Sequence, residues 1–141
     1  NMYVSAIHAY LAGIIDGEGN ITLARQPYPA ICYPHVQIVN TEYTLMEWLK
    51  GNFGGGISAR PYFGSYKPSW VWRVLGPKAR DLLLLARPYL VLKGQQADII
   101  LAYPFNVRPR RYRMNPDDTA LRIELYERIH DLNGHPRPYR R

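Results

Sequence analysis

Two carboxylates stand close together near the start of the chain, in the run Asp16-Gly17-Glu18-Gly19, directly after a stretch from Ser5 that reads as a helix. The glycines suit the end of a helix, but acid there meets the negative pole of the macrodipole and is locally unfavourable. A divalent cation would reverse that sign, because carboxylate and carbonyl oxygens are the hard ligands that magnesium and calcium prefer. Taken by itself, such a tetrapeptide is more often a polar turn between a helix and a strand. The residues in front of it carry the decision.

Those residues form two unlike faces. Ile7, Tyr10, Leu11, Ile14 and Ile15 follow the i, i+3, i+4, i+7, i+8 rule and predict an apolar stripe toward the chain's own core. The opposite side collects Ser5, Ala9, Ala12, Gly13 and Asp16, mostly small residues, over which a second backbone could approach closely. A glycine inside a helix costs about 1 kcal/mol against alanine, so Gly13 is better explained by tight helix-helix contact than by chance. The helix is expected to have two partners.

Leu11-Ala12-Gly13-Ile14-Ile15-Asp16-Gly17-Glu18-Gly19 resembles the nine-residue signature of the LAGLIDADG homing endonucleases. Glu18 falls on the catalytic acid of that signature, with glutamate in place of the commoner aspartate. The resemblance implies an α-β-β-α-β-β-α plan whose sheet saddles the DNA major groove. It also implies a metal-dependent double-strand break in DNA that leaves short 3′ overhangs. A single signature in 141 residues implies a homodimer, with Ala9, Ala12, Gly13 and Asp16 at the two-fold and the two Glu18 side chains side by side. The same resemblance implies Mg²⁺ held by Glu18 and the Gly19 carbonyl, sites that Ca²⁺ or Mn²⁺ could also occupy. Asp16 takes a supporting role, capping or orienting. Leu92-Lys93-Gly94-Gln95-Gln96-Ala97 resembles the family's lysine-glutamine segment, which would let Lys93 polarise the phosphate or water with Gln96 in support. Asn40 falls where relatives place a polar residue that orders active-site water, although it is equally suited to cap the next helix. Thr44 stands where some relatives keep a basic residue.

Composition bounds the alternatives. A chain of 141 residues, 47% of them hydrophobic, suffices for one core and not for two, so residues 1–141 read as one domain. Its 18 Lys+Arg against 11 Asp+Glu give a net charge of +7 and a pI near 9.7, which points to a polyanionic partner. No apolar run approaches the ~20 residues of a membrane span, no basic amphipathic anchor is present and no secretory leader is visible. No membrane partner is expected. Cys32 is the only cysteine, which excludes an intrachain disulfide and fits an intracellular, cytoplasmic setting, an organelle included. The four histidines lack zinc spacing.

Along the chain, Ile21 and Leu23 alternate with Asn20, Thr22 and Gln26, then Val36 and Ile38 with His35 and Gln37, predicting two strands of a hairpin. A helix follows near Thr41, packed by Leu45, Met46, Trp48 and Leu49. Beyond Gly54-Gly55-Gly56 the pattern repeats. Ile57 and Ala59 alternate with Ser58, Arg60 and Tyr62, while Trp70, Trp72 and Val74 oppose Val71 and Arg73. Pro77 opens the next helix at its N1 position, with Leu82, Leu83, Leu85 and Ala86 inward. Further helices fit Gly94 to Tyr103 and a stretch after Asn115, the last with a stripe of Leu121, Leu125, Ile129 and Leu132.

The predicted fold class is therefore α+β: a four-stranded antiparallel sheet with its helices on one face and a C-terminal helical extension. The family-like core covers about residues 5–103, and the basic linker and last helix cover about 104–141. The bare face of the sheet would carry Asn20, Thr22, Gln26, His35, Gln37, Ser58, Arg60, Tyr62 and Arg73, donors, acceptors and cations suited to base edges in the major groove. Arg108, Arg110, Arg111 and Arg113 would add phosphate contacts to double-stranded DNA. Two other readings share this layout, an RNA-splicing maturase and a non-cutting DNA-binding regulator. Glu18 together with Lys93 favours cleavage, since a pure binder gains nothing from an acid facing phosphates.

Overall fold

A computed structural model of the chain describes residues 2–25, 32–60, 67–105 and 116–134. Helix α1 runs from Met2 to Glu18 and passes directly into strand β1, Gly19–Arg25. Strand β2 (Cys32–Asn40), helix α2 (Tyr43–Phe53), strands β3 (Gly56–Arg60) and β4 (Ser69–Leu75), and helix α3 (Pro77–Ala86) complete the repeat expected from the sequence. A 3₁₀ turn over Arg87–Tyr89 leads to α4 (Gly94–Ala102), and α5 spans Pro116–Leu132. All strand pairs are antiparallel, in the order β1-β2-β4-β3. The two hairpins therefore meet along β2 and β4.

The sheet separates the chain into two environments. On the helix side, Ile21, Leu23, Val36, Ile38, Trp72 and Val74 pack with Leu11 and Ile15 of α1, Met46 and Leu49 of α2, and Leu83 of α3. Leu11 and Ile15 are fully buried, and each such side chain contributes about 1.5–3 kcal/mol through its burial. The sharp entry from α1 into β1 depends on Gly19, where a Cβ would lie 2.8 Å from the Ile15 Cα and 2.9 Å from its carbonyl oxygen. At the other crossing, Gly55 holds φ +83° beneath the Arg73 carbonyl, and the Trp72 indole donates to the Gly54 carbonyl at 2.8 Å.

Several expectations shift. Tyr10 is 54% exposed and lies against Trp48 at 4.9 Å between ring centroids, so the buried stripe of α1 is Leu11, Ala12 and Ile15. Leu85, Leu121 and Leu132 are exposed; α5 instead buries Arg122, Leu125 and Ile129. Arg122 is tolerated because Nη2 donates to the Pro104 carbonyl at 2.6 Å and the guanidinium stacks on Tyr103. Leu125 and Ile129 belong to the same core as the sheet, so α5 is an integral layer.

Candidate active site and nucleic-acid face

The carboxylates that opened the sequence sit where α1 ends, and each has a different task. Asp16 points across to the segment entering α4, where its two oxygens accept the backbone N–H groups of Val91 at 2.7 Å, Leu92 at 3.1 Å and Lys93 at 3.0 Å. Lys93 returns the contact, donating from Nζ to the Asp16 carbonyl at 2.8 Å. That places an ammonium on the C-terminal carbonyls of α1, where a cation offsets the macrodipole. Glu18 is exposed, and its Oε2 accepts one hydrogen bond, from Asn40 Nδ2 at 2.6 Å. The Asn40 Oδ1 accepts the Glu42 N–H at 2.8 Å, an Asx turn that fixes the amide at the end of β2. The cap position of α2 is Glu42, with no side-chain cap bond, so Asn40 faces Glu18 without capping the helix.

Two pairs thus stand at the C-terminal end of α1: Glu18 with Asn40 from the end of β2, and Asp16 with Lys93 from the start of α4. Gln96 stands apart from them. It is buried in α4, donating to Asn133 Oδ1 at 3.3 Å, and Asn133 in turn donates to the Ile21 carbonyl at 2.8 Å. Its amide ties α4 to Asn133, just past the end of α5, and Asn133 carries the link on to β1. Among the described residues no cluster of three or more His, Cys, Asp or Glu side chains exists.

The free face of α1 differs from the expected one. Ala9 and Gly13 are exposed and are joined by Ala6, Gly17, Met2 and Tyr3, but Ala12 is fully buried in the chain's own core and the Asp16 carboxylate is committed to residues 91–93. The small exposed surface is therefore rotated by part of a turn. No atom lies within 4 Å of a Cβ built on Gly13 or Gly17, leaving room for another backbone.

On the face of the sheet away from the helices, the ladder aligns side chains in rungs. Asn20 pairs with Gln37 and Gln37 with Arg73; Thr22 pairs with His35; Val39 pairs with Val71 and Val71 with Ser58; Arg60 pairs with Ser69. Arg73 and Arg60 are exposed, Asn20, His35 and Gln37 half-buried, and Thr22 is buried with no partner for its hydroxyl among the described residues. Burial, and then the Arg73 charge, hold the His35 imidazole below its usual pKa, so it is neutral at pH 7. Val39 was not assigned to this face from sequence, although it shares the parity of Gln37. An apolar side chain on an outward parity carries no polar signal in the sequence. Gln26, Tyr62, Arg108, Arg110, Arg111 and Arg113 lie outside the described residues.

No family model matches the chain, and no curated protein matches it. Solved structures do. The homing endonuclease I-CvuI, in complex with its target in the presence of Ca, superposes with a TM-score of 0.73 at 20% identity over 100% of this chain and 90% of that one. The archaeal intron-encoded homing endonuclease I-Vdi141I, complexed with DNA, gives 0.74 at 14% identity over 96% and 89%. The LAGLIDADG homing endonuclease I-GzeII, also in complex with a DNA target, gives 0.59 at 16% identity, with 92% of this chain on 44% of that one.

The chain has the LAGLIDADG homing-endonuclease fold. The likeness to I-CvuI extends over the entire chain, past residue 103 where the sequence resemblance stopped. α5 is accordingly covered by it. This chain spans nearly all of two neighbours and less than half of the third, so the LAGLIDADG fold occurs both as a chain of this size and within one more than twice as long.

Proposed function

We propose that the protein is a site-specific DNA endonuclease of the homing type, making a metal-dependent double-strand break as a homodimer. The carrying observation is Glu18: an exposed carboxylate at the signature position, oriented by Asn40, two residues past the Asp16 carbonyl that Lys93 holds, and set at the end of a polar sheet face. DNA is the polyanion that I-CvuI and I-Vdi141I hold in their complexes, and a net charge of +7 suits the same partner. β1 and β4 have 7 residues each, a reach of ~23 Å or about 7 base pairs. Two copies would read a long, nearly palindromic site.

The residues at Glu18 fit a hard divalent ion. The carboxylate has no Lys or Arg within ion-pair distance among the described residues, so its charge is uncompensated at the negative end of α1. Glu18 and the Gly19 carbonyl would hold Mg²⁺, with Ca²⁺ or Mn²⁺ suited to the same oxygens. When bound, the ion supplies an activated water and charge stabilisation at the leaving oxygen. Asn40 keeps the carboxylate in one rotamer. Lys93 spends one of its three N–H donors on the Asp16 carbonyl and keeps two for a phosphate oxygen.

The exposed Ala9-Gly13 surface of α1 would bring in a second copy with its own Glu18. Each copy would then serve one strand. The test is incubation with a library of long duplexes and Mg²⁺, followed by sequencing of the broken ends. Expected are breaks in both strands at a nearly palindromic site, with short 3′ overhangs and binding that weakens steeply with salt. Binding without cutting would point to a regulator, and selective binding of structured RNA to a maturase.

A further inference from the structure

Resting on the reading of the outer sheet face as the DNA-facing one, we propose that two adjacent rungs fix the identity of two bases in each half-site. The Gln37–Arg73 rung reads a guanine. The Val39–Val71 rung reads the methyl of a thymine about two base pairs nearer the cleavage point.

Gln37 and Arg73 are directly paired across β2 and β4, and Arg73 Nε donates to Gln37 Oε1 at 3.3 Å. That bond occupies one of the two lone pairs of the pair's single acceptor oxygen. What remains are the donors of two guanidinium NH₂ groups and the Gln37 NH₂, against one lone pair on Gln37 Oε1. A rung so rich in donors, with the guanidinium at its centre, matches guanine, which presents N7 and O6 as acceptors in the major groove, better than adenine, whose N6 is a donor beside N7. The cross-strand bond also holds the guanidinium in the plane of the rung, reducing the rotamer entropy lost on binding. His35, on the same face of β2, is neutral and so adds no second positive charge.

Two residues along, the chemistry changes. Val39 and Val71 are paired on the same face, and with Ser58 and Arg60 at the far side they line an open hollow of about 460 Å³ that also touches Gln37 and Arg73. Val39 is half-buried and Val71 5% exposed, neither belongs to the core cluster beneath the sheet, and the other apolar side chain of the β4 row, Leu75, lies two rungs away beside His35. Thymine alone among the four bases offers a methyl in the major groove. The order follows from the strand: Val39 precedes Asn40, which bonds Glu18, so the apolar rung lies on the cleavage side of the Gln37–Arg73 rung. Two residues of strand advance ~6.8 Å, close to two base-pair steps of ~3.4 Å.

The experiment begins with selection of bound duplexes from a random library by the wild-type dimer with Ca²⁺, and continues with single-atom base analogues in the selected site. Expected is a G and, two pairs inward, a T in each half-site. Replacing that guanine by 7-deazaguanine should weaken wild-type binding about 5- to 150-fold, and should leave Arg73→Met binding unchanged. Replacing the thymine by uracil, which removes only the methyl, should cost about 4-fold, and should cost less than that with Val39→Ser, which leaves only Val71 to meet the methyl. Both variants are checked for wild-type thermal unfolding.

If wild-type protein selects a site but Arg73→Met weakens every sequence equally, Arg73 is a phosphate contact and the base assignment fails. If uracil and thymine bind alike, the apolar rung reads nothing. If no duplex is selected at all, the DNA-binding reading itself falls, and this one with it.

Discussion

Asn40 donates from Nδ2 to Glu18 Oε2 at 2.6 Å, joining the last residue of α1 to the last residue of β2. The same amide oxygen is held by the Glu42 N–H, so the carboxylate is positioned by a turn that the backbone itself locks. Asn40→Asp retains the acceptor for Glu42 but replaces the donor with a like charge. We expect it to fold normally, bind DNA, and cut about 10²-fold more slowly, the usual consequence of a small misplacement at a reacting group. Single-turnover cleavage at saturating protein measures this. Asn40→Ala should lose the turn as well, and so show a drop in unfolding midpoint that Asn40→Asp does not.

Asp16 ties the end of α1 to residues 91–93 through three backbone N–H groups. Asp16→Ala removes charge-assisted bonds and leaves amides to solvent, a loss of about 1.5–3 kcal/mol. Urea unfolding should report that loss as a lower midpoint with an unchanged m-value. Cleavage should fall too, because Lys93 is carried by the segment that Asp16 anchors.

Gly13 has open space around it in the single chain, so Gly13→Arg should leave the monomer's unfolding curve within about 0.5–1 kcal/mol of wild type, the propensity of arginine exceeding that of glycine. In the dimer the same side chain would stand between two helices. Sedimentation should then show monomers where wild type shows dimers. Gly19→Ala is the contrasting control: its Cβ meets the Ile15 backbone, and it should destabilise the fold itself by about 1–3 kcal/mol.

His35 supplies a pH signature. Burial and the Arg73 charge place its folded pKa below the ordinary 6.5, so the unfolded chain binds the proton more tightly. The stabilisation is complete above pH 6.5 and is lost as pH falls from there through the folded pKa. His35→Gln should flatten the decline in unfolding free energy between pH 7 and pH 5. An unchanged slope would show that His35 does not titrate differently in the two states.

The elements were legible because each rests on a local pattern. The period-2 strands at Ile21–Leu23, Val36–Ile38 and Trp70–Val74, and Pro77 at a helix start, all fall where they were expected. Helix rotation was less legible. On α1, Tyr10 and Ala12 flank the stripe, and which of them is buried depends on where β1, β2 and α3 pack, information absent from a local wheel. Arg122 is buried only because Tyr103 and the Pro104 carbonyl receive it. The task of Asp16 was open to sequence only as a choice between capping and orienting, since its partners lie 75 to 77 residues away. The Gln96–Asn133 bond was hidden for the same reason, linking two helices that periodicity treats separately.

The central claim is that Glu18 is the acid of a DNA-cutting site. The most direct measurement compares wild type with Glu18→Gln on one selected duplex in Mg²⁺, following binding by fluorescence anisotropy and strand scission by gel. Glu18→Gln keeps the size and the hydrogen-bonding capacity toward Asn40 but removes the charge. Expected is binding within a few-fold of wild type and scission of both strands lost. Scission at the wild-type rate by Glu18→Gln would contradict the assignment.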